Sequence, residues 1–435
     1  MPRPDLRHHF RATAKEGGST GNAGAVSGES RNPVPPTRFA DLVDCVADTC
    51  LPFTAETEVY VGLEHIDSGA FQLNRFGHPD NVTSAKTRFQ GGDILYGKLR
   101  PYLDKAILVD RGGICSTDIL VLRPKPNVVA AYVLGLVHSE AFRDQATATT
   151  RGVNHPRTSW NGVSSFECLP PPKPEQEKIA AVLWKVQRAI ATQDKLIAAI
   201  RDLKQSAMQH LFTHGLRGEP LKETEIGPMP ESWNIAPLSK IARLERGRFM
   251  HRPRNEPRFY GGDMPFVQTG DVVRSQGHIT KYTQTLNTEG IAISRVFPKG
   301  TILITIAANI GFVGILDFDS ACPDSLVAIS PSATTDTEFL LYFLQLQQPI
   351  MNRLAPKGTQ KNINIQFLDP WPIAVPDLNE QRDIAAALAA IDRKLAHHHK
   401  KRAALNGLFQ TLLHKLMTAE IRVTDLDIDT SELEA

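Results

Sequence analysis

The chain has 435 residues, a net charge of +2 and 41% hydrophobic residues, enough for two to four soluble domains with sizeable cores; so even a charge balance does not by itself imply nucleic acid, and any basic surface must be local. Its five cysteines (Cys45, Cys50, Cys115, Cys168 and Cys322) form no CxxC pair, which suggests neither a disulfide framework nor a zinc site and fits a reduced cytoplasm. No apolar run approaches the ~18 residues of a membrane span, and the N-terminus lacks a signal-peptide apolar core.

Residues 1–36 are rich in Gly, Ser, Pro and charge, end in NPVPP, and read as a disordered tail. Residues 37–172 read as a first globular domain. RFADLVDCVAD (38–48) is expected to be a short amphipathic helix, VYVGLEHI (59–66) a strand, and FQGGDIL (89–95) a turn feeding a strand. ICSTDILVLRP (114–124) reads as another strand and AAYVLGLVHSEAFRDQA (130–146) as a helix. A polar loop, TTRGVNHPRTSWNG, precedes SSFECLPPP and a long helix over 173–215.

The heptad segment of that helix runs from Glu175, where it reads EQEKIAAVL, to Phe212. Stepping by alternating fours and threes meets Ile179, Leu183, Val186, Ile190, Gln193, Ile197, Ile200, Lys204, Ala207 and Leu211. Eight of these ten are apolar, a seam with the 3.5-residue period that another helix must cover. A second globular domain, 216–377, repeats the plan of the first. PFVQTGDVV (265–273) stands where VYVGLEHI stood, VFPKGTILIT (296–305) where FQGGDILYG stood, and ACPDSLVAISP matches ICSTDILVLRP with Cys115 over Cys322.

A second long helix, 378–419, carries the copy of that segment from Glu380, where it reads EQRDIAAAL, to Met417, aligned without a gap on the first. Its seam is Ile384, Leu388, Ile391, Leu395, His398, Arg402, Leu405, Phe409, Leu412 and Leu416, with polar His398 at the place of Gln193. Residues 420–435 form an acidic tail, expected to fray from Thr424 on. The expected fold is thus α/β in the mixed α+β sense. Two similar globular domains are separated by two long antiparallel coiled-coil helices, with a pseudo-twofold internal repeat.

The PESW opening (230–233), PFVQTGDV, DILYGKLRPYLDK (93–105), GTQKNINIQFL (358–368) and the twice-used P..EQ..IA..L motif together resemble a type I restriction–modification DNA specificity subunit, over nearly all of residues 38–418. The resemblance implies two target recognition domains that bind the two halves of an asymmetric, gapped site in double-stranded DNA. It also implies that the paired helices set the gap and dock two modification methyltransferase subunits, with a translocating restriction subunit joining them. On that reading this chain carries no cofactor and no catalytic residue, S-adenosylmethionine belongs on the methyltransferase partner, no membrane is involved, and the complex is cytoplasmic. TRGVNHPRTSWNG departs from the family pattern in lacking the QKNI run.

The loops hold the side chains that read bases and grip phosphates: Arg or Lys for guanine, Asn or Gln for adenine, and Lys, Arg, hydroxyls and amides for the backbone. In the first domain the candidates are Lys98, Arg100, Tyr102 and Lys105, then Arg151, Asn154, His155 and Arg157. In the second they are Arg246, Arg248, Arg252 and Arg254, then Gln268 and Thr269, then Lys357, Gly358, Gln360, Lys361 and Asn362. Each is equally an ordinary loop residue, and Gln268 could instead satisfy backbone groups. The motifs of a methyltransferase, a phosphate loop or a carboxylate-and-lysine nuclease are missing. His397, His398 and His399 point about 100° apart on a helix and cannot converge on one metal ion. Two rival readings stand beside this one: a single-chain methyltransferase or endonuclease for gapped sites, and a coiled-coil scaffold that binds only proteins.

Overall fold

The computed structural model describes residues 36–356 and 361–431. The rest of the expected N-terminal tail lies outside the described residues. By internal contacts the chain divides into two units, residues 1–176 and 177–435.

The first unit holds strands β1 (Val43–Val46), β2 (Thr49–Cys50), β3 (Tyr60–Val61), β4 (Lys86–Phe89), β5 (Ile94–Gly97), β6 (Ala106–Leu108), β7 (Gly113–Cys115) and β8 (Ile119–Pro124). One antiparallel sheet runs β1-β8-β5-β6, and a second runs β2-β4-β7-β3 with β3 parallel to β7. Several expected elements are shorter than their sequence patterns. The helix expected over 38–48 is one turn, Phe39–Leu42, after which β1 pairs with β8. The strand expected over 59–66 stops at Val61, because Gly62 N–H donates to His65 Nδ1 (2.9 Å) and turns the chain. The strand expected over 114–124 is two strands in two sheets, divided by a turn in which Ile119 N–H donates to the Ser116 carbonyl. The helix expected over 130–146 is α1 (Ala130–Val137) and α2 (Glu140–Ala148), because Ser139 caps the second.

The long helix α3 (Lys173–His214) begins at the edge of the first unit and enters the second. Pro174 sits in its first turn, where a missing N–H costs nothing, and Gly215 ends it in the left-handed region at φ +62°.

The second unit holds β9 (Ala242–Arg246), β10 (Tyr260–Phe266), α4 (Thr269–Ser275), β11 (His278–Ile279), β12 (Gln284–Leu286), β13 (Val296–Phe297), β14 (Ile302–Thr305), β15 (Val313–Leu316), β16 (Ser320–Ala321), β17 (Leu326–Pro331), α5 (Thr337–Leu354) and α6 (Leu378–Met417). Its sheets run β9-β17-β14-β15-β11 and β12-β10-β16-β13. The stretch 265–273 is strand only to Phe266. Gln268 N–H then donates to Asp271 Oδ2 (2.9 Å), a capped start that makes the remainder helical.

The duplication extends to register. In the first unit Ile94 faces Leu122 on one side and Leu108 on the other; in the second, Ile302 faces Ile329 and Ile315. β3 lies parallel to β7 as β10 lies parallel to β16. The core of the second unit is continuous with the long helices. Met208 and Phe212 near the end of α3, and Ile384 and Leu388 near the start of α6, pack in one cluster with Trp233, Phe339 and Phe343. By internal contacts both helices group, from Glu177 on, with the second unit.

The two helices run antiparallel. Gln193 meets His398, Arg201 meets His399, Lys204 meets Asp392, and Asp194 pairs with Arg402. None of the twenty seam residues is exposed. Residues after α6 do not fray as expected, up to Ser431. They fold back along α3, where Lys178 donates to the Thr424 carbonyl (2.6 Å), Lys185 to the Asp429 carbonyl (3.1 Å), and Val423 is buried. No described helix is long and apolar enough to cross a membrane.

Candidate nucleic-acid interface

In the first unit two loops from different parts of the chain are stitched together. Lys98 N–H donates to the Asp118 carbonyl (2.9 Å), Thr158 N–H donates to the Lys98 carbonyl (3.0 Å), and Leu99 bridges to Arg157. Arg100 N–H donates to the Pro156 carbonyl (2.8 Å), and its guanidinium reaches the Asn154 carbonyl (3.4 Å). Arg151 and Arg157 exchange backbone hydrogen bonds across the 151–157 turn. The structure therefore brings Lys98, Arg100, Arg151, Asn154, His155 and Arg157 to one surface, with Tyr102 exposed on the same loop.

The Lys105 ammonium donates to the Leu63 carbonyl at 2.6 Å. The loop is further pinned by Asp104, whose carboxylate lies 2.8 Å from Nδ1 of the buried His138. That histidine also contacts the Ala70 and Ala106 carbonyls through Nε2.

Sequence reasoning missed Asp118. Arg157 Nε and Nη2 donate to its two carboxylate oxygens at 2.7 and 3.1 Å, a two-point ion pair. Hydrogen bonding from Arg157 holds the Asp118 carboxyl below its ordinary value, with Lys98 and His155 acting in the same direction. The signal available was a lone acid in the turn just before the apolar strand ILVL.

The second unit repeats the frame with other side chains. Ile306 N–H donates to the Ser325 carbonyl (3.1 Å), Ile363 N–H to the Ile306 carbonyl (2.9 Å), and Ala307 bridges to Asn362. Ile306, Asn362 and Ser325 thus occupy the backbone places of Lys98, Arg157 and Asp118. Exposed Asn309 and Phe312 lie on the loop equivalent to 98–105, and neither was singled out from the sequence. Lys361 donates to Asn352 Oδ1 (3.1 Å). Lys357, Gly358 and Gln360 lie outside the described residues.

Beside this frame the arginines of 246–254 converge on Asp324. Arg252 donates to its carboxylate at 2.8 Å, Arg254 pairs with the other oxygen, and Arg246 donates to its carbonyl at 2.7 Å. Arg248 turns to the Ser294 carbonyl (3.3 Å). Gln268 is drawn away from this group. It starts α4 together with Thr269 and donates through its side chain to Gln284 Oε1 (3.0 Å).

Both units also use their Glu-Gln motif alike. Gln176 Oε1 accepts from Val129 N–H (3.1 Å) and Gln176 Nε2 donates to the Pro171 carbonyl; Gln381 Oε1 accepts from Asp336 N–H (2.8 Å) and Gln381 Nε2 donates to the Pro376 carbonyl. Each glutamine ties the start of a long helix to the start of the helix that follows the last sheet strand. Two copies of one mixed α+β domain, each presenting a differently furnished polar loop pair on the same backbone frame and each fastened to a long helix, define a duplicated recognition subunit.

Comparison with known proteins agrees. Residues 230–406 match the type I restriction modification DNA specificity domain. The chain is 26% identical over 377 residues to a putative type I restriction enzyme MjaX specificity subunit of Methanocaldococcus jannaschii, covering 83% of this chain and 86% of the relative. It is 22% identical over 442 residues to the HindI specificity subunit of Haemophilus influenzae, covering 83% and 95%. Among solved structures, the fold matches a chain from a type I restriction–modification system described for its complex assembly and conformational transition, with a TM-score of 0.58, 24% identity, and 88% and 97% of the two chains covered. It also matches the type I S subunit of M. genitalium, with a TM-score of 0.56, 15% identity, and 89% and 98% covered. Residues 230–406 thus carry the type I restriction modification DNA specificity domain, and over most of its length the chain is similar to the specificity subunits of type I restriction–modification systems.

Proposed function

We infer that this chain is the non-catalytic DNA-recognition subunit of its complex, and that each unit reads one half of a two-part, gapped site in double-stranded DNA. The carrying observation is the shared loop frame with unlike side chains: Lys98, Arg157 and Asp118 in one unit, Ile306, Asn362 and Ser325 in the other. One backbone scaffold with two side-chain sets suits two different base sequences. The antiparallel helices are the spacer and the dock for two modification methyltransferase subunits. Those subunits carry S-adenosylmethionine, and a restriction–translocation subunit completes the assembly in the cytoplasm.

The test is a genome-wide map of methylated bases with and without the gene for this chain. Loss of methylation at one bipartite sequence is the expected result and yields both half-sites and the gap. Purified complex should also lose DNA affinity steeply as salt rises, since phosphate neutralisation releases counterions. An affinity indifferent to salt, together with an unchanged methylation map, would overturn the reading.

A further inference from the structure

Arg157 is a guanidinium held ready on one edge and open on the other. Its Nε and Nη2 donate to Asp118 at 2.7 and 3.1 Å. The remaining edge, Nη1 with the second Nη2 proton, has one long bond, from Nη1 to the His155 carbonyl at 3.4 Å. The Arg157 side chain is 43% exposed, so this edge is reachable from solvent. Asp118 is itself fixed: its carbonyl accepts from Lys98 N–H, and its own N–H donates to Ser116 Oγ (3.3 Å). The ion pair therefore removes rotamer freedom from the arginine before any ligand arrives.

An open guanidinium edge matches two DNA acceptors that sit side by side: O6 and N7 of guanine, or two oxygens of one phosphate. The same backbone place in the second unit holds exposed Asn362, whose amide fits adenine N6 and N7 and carries no charge for a phosphate. A position whose side chain changes from cation to amide while its frame is kept behaves as a variable reader, not as a common backbone clamp. Resting on the DNA-recognition reading above, we propose that Arg157 reads a guanine in the half-site of the first unit, with Asp118 as its positioning residue.

The experiment uses the full chain in complex with its modification subunits and a duplex library in which the first half-site is randomised base by base. R157K keeps the charge but loses the two-point edge; R157Q loses both; D118N keeps the shape but loses the ionic hold. The expected result is a roughly tenfold or larger loss of guanine preference at one position in R157K and R157Q, set by the worth of a bidentate base contact. D118N should show a smaller loss at that same position. The half-site read by the second unit should be unchanged in all three, which also certifies folding. Uniform weakening across all sequences, with the salt slope reduced by about one, would make Arg157 a phosphate contact and overturn the proposal. Unchanged preferences in all three would make the pair purely structural and overturn it too, as would loss of both half-sites in all three. A wild-type complex with no sequence preference would instead overturn the DNA-recognition reading itself.

Discussion

Gln193 and His398 are copies of one another in the repeat, and their side chains meet, with His398 Nδ1 2.8 Å from Gln193 Oε1. In an antiparallel pair of related helices, only residues on the pseudo-twofold axis can touch their own copies. The axis of the helix pair therefore passes through this contact, and the one polar layer shared by both apolar seams marks the register. Sliding the helices would leave the buried Gln193 amide facing apolar side chains. Replacing either residue alone with leucine should lower the urea midpoint, and the Q193L/H398L double variant should recover it. Partial burial, aided by His397, Lys394 and Lys401, pushes the His398 imidazole below its ordinary value of 6.5. The unfolded chain then takes up the proton first, so this contribution is present above about pH 6.5 and is lost as pH falls through the lower folded value. Unfolding midpoints from pH 5 to 8 should fall more steeply on the acid side in the wild type than in the double variant.

The helix pair was legible in the sequence because a 3.5-residue period and its duplication are each visible without any structure. The helices themselves are Lys173–His214 and Leu378–Met417. The short elements were not legible at the same level. Single side-chain bonds, such as His65 to Gly62 and Ser139 to Phe142, end strands and split helices without disturbing the apolar pattern around them. The polar loops were found by residue type, which located Arg157 but not the carboxylate that aims it. Asp118 lies 39 positions away in sequence, and only the sheet brings the two together. The same limit hid the partner of Lys105, whose ammonium donates to the Leu63 carbonyl from 42 positions away.

Glu380 is nearly inaccessible at 2% and fixes the end of α3 to the start of α6. Its Oε1 accepts from Leu216 N–H (3.0 Å) and its Oε2 from Trp233 Nε1 (3.2 Å), while Arg217 approaches at 3.6 Å. The PESW tryptophan and the EQ glutamate of the sequence thus meet in one buried bond. E380A strips the buried Trp233 N–H and the part-buried Leu216 N–H of their acceptor and should cost roughly 2–4 kcal/mol. E380Q should cost less, because one oxygen still accepts while its new N–H₂ faces a donor. Urea unfolding followed by tryptophan emission checks both, and an E380A variant as stable as wild type would contradict the assignment.

Asp392 joins three helices of the second unit. It accepts from Lys204 of α3 (2.8 Å) and from the Tyr342 hydroxyl of α5 (2.8 Å), and the Lys204 ammonium stands 5.0 Å from the Tyr342 ring centre. Burial, then the Asp392 charge, pushes the Tyr342 phenol well above its usual range, so it remains a donor at any physiological pH. Y342F deletes one hydrogen bond while keeping the ring and should cost about 1 kcal/mol. D392N weakens both bonds, and combining it with Y342F should add less than the sum of the two, because they share a partner. A double-mutant cycle on urea midpoints measures that coupling; strict additivity would show that the tyrosine and the aspartate act separately.

His278, on the edge strand β11, lies between two carboxylates, with Nδ1 3.1 Å from Asp317 and Nε2 3.0 Å from Glu338 in the first turn of α5. The hydrogen bond to Glu338 raises its pKa most, Asp317 adds to it, burial opposes both, and the imidazole is pushed up to about 9. It is therefore a cation at neutral pH that tethers the helix start to the sheet edge. A folded pKa above the unfolded value of 6.5 means that the folded state holds the proton longer. The stabilisation is fully present below about pH 6.5 and is lost as pH rises through about 9. Because the side chain is 46% exposed, solvent screening keeps the effect modest. The wild-type melting temperature should fall between pH 7 and 9.5, and H278Q, which has no proton to lose, should show a flatter profile over that interval. An identical slope in the two proteins would show that the alkaline loss arises elsewhere.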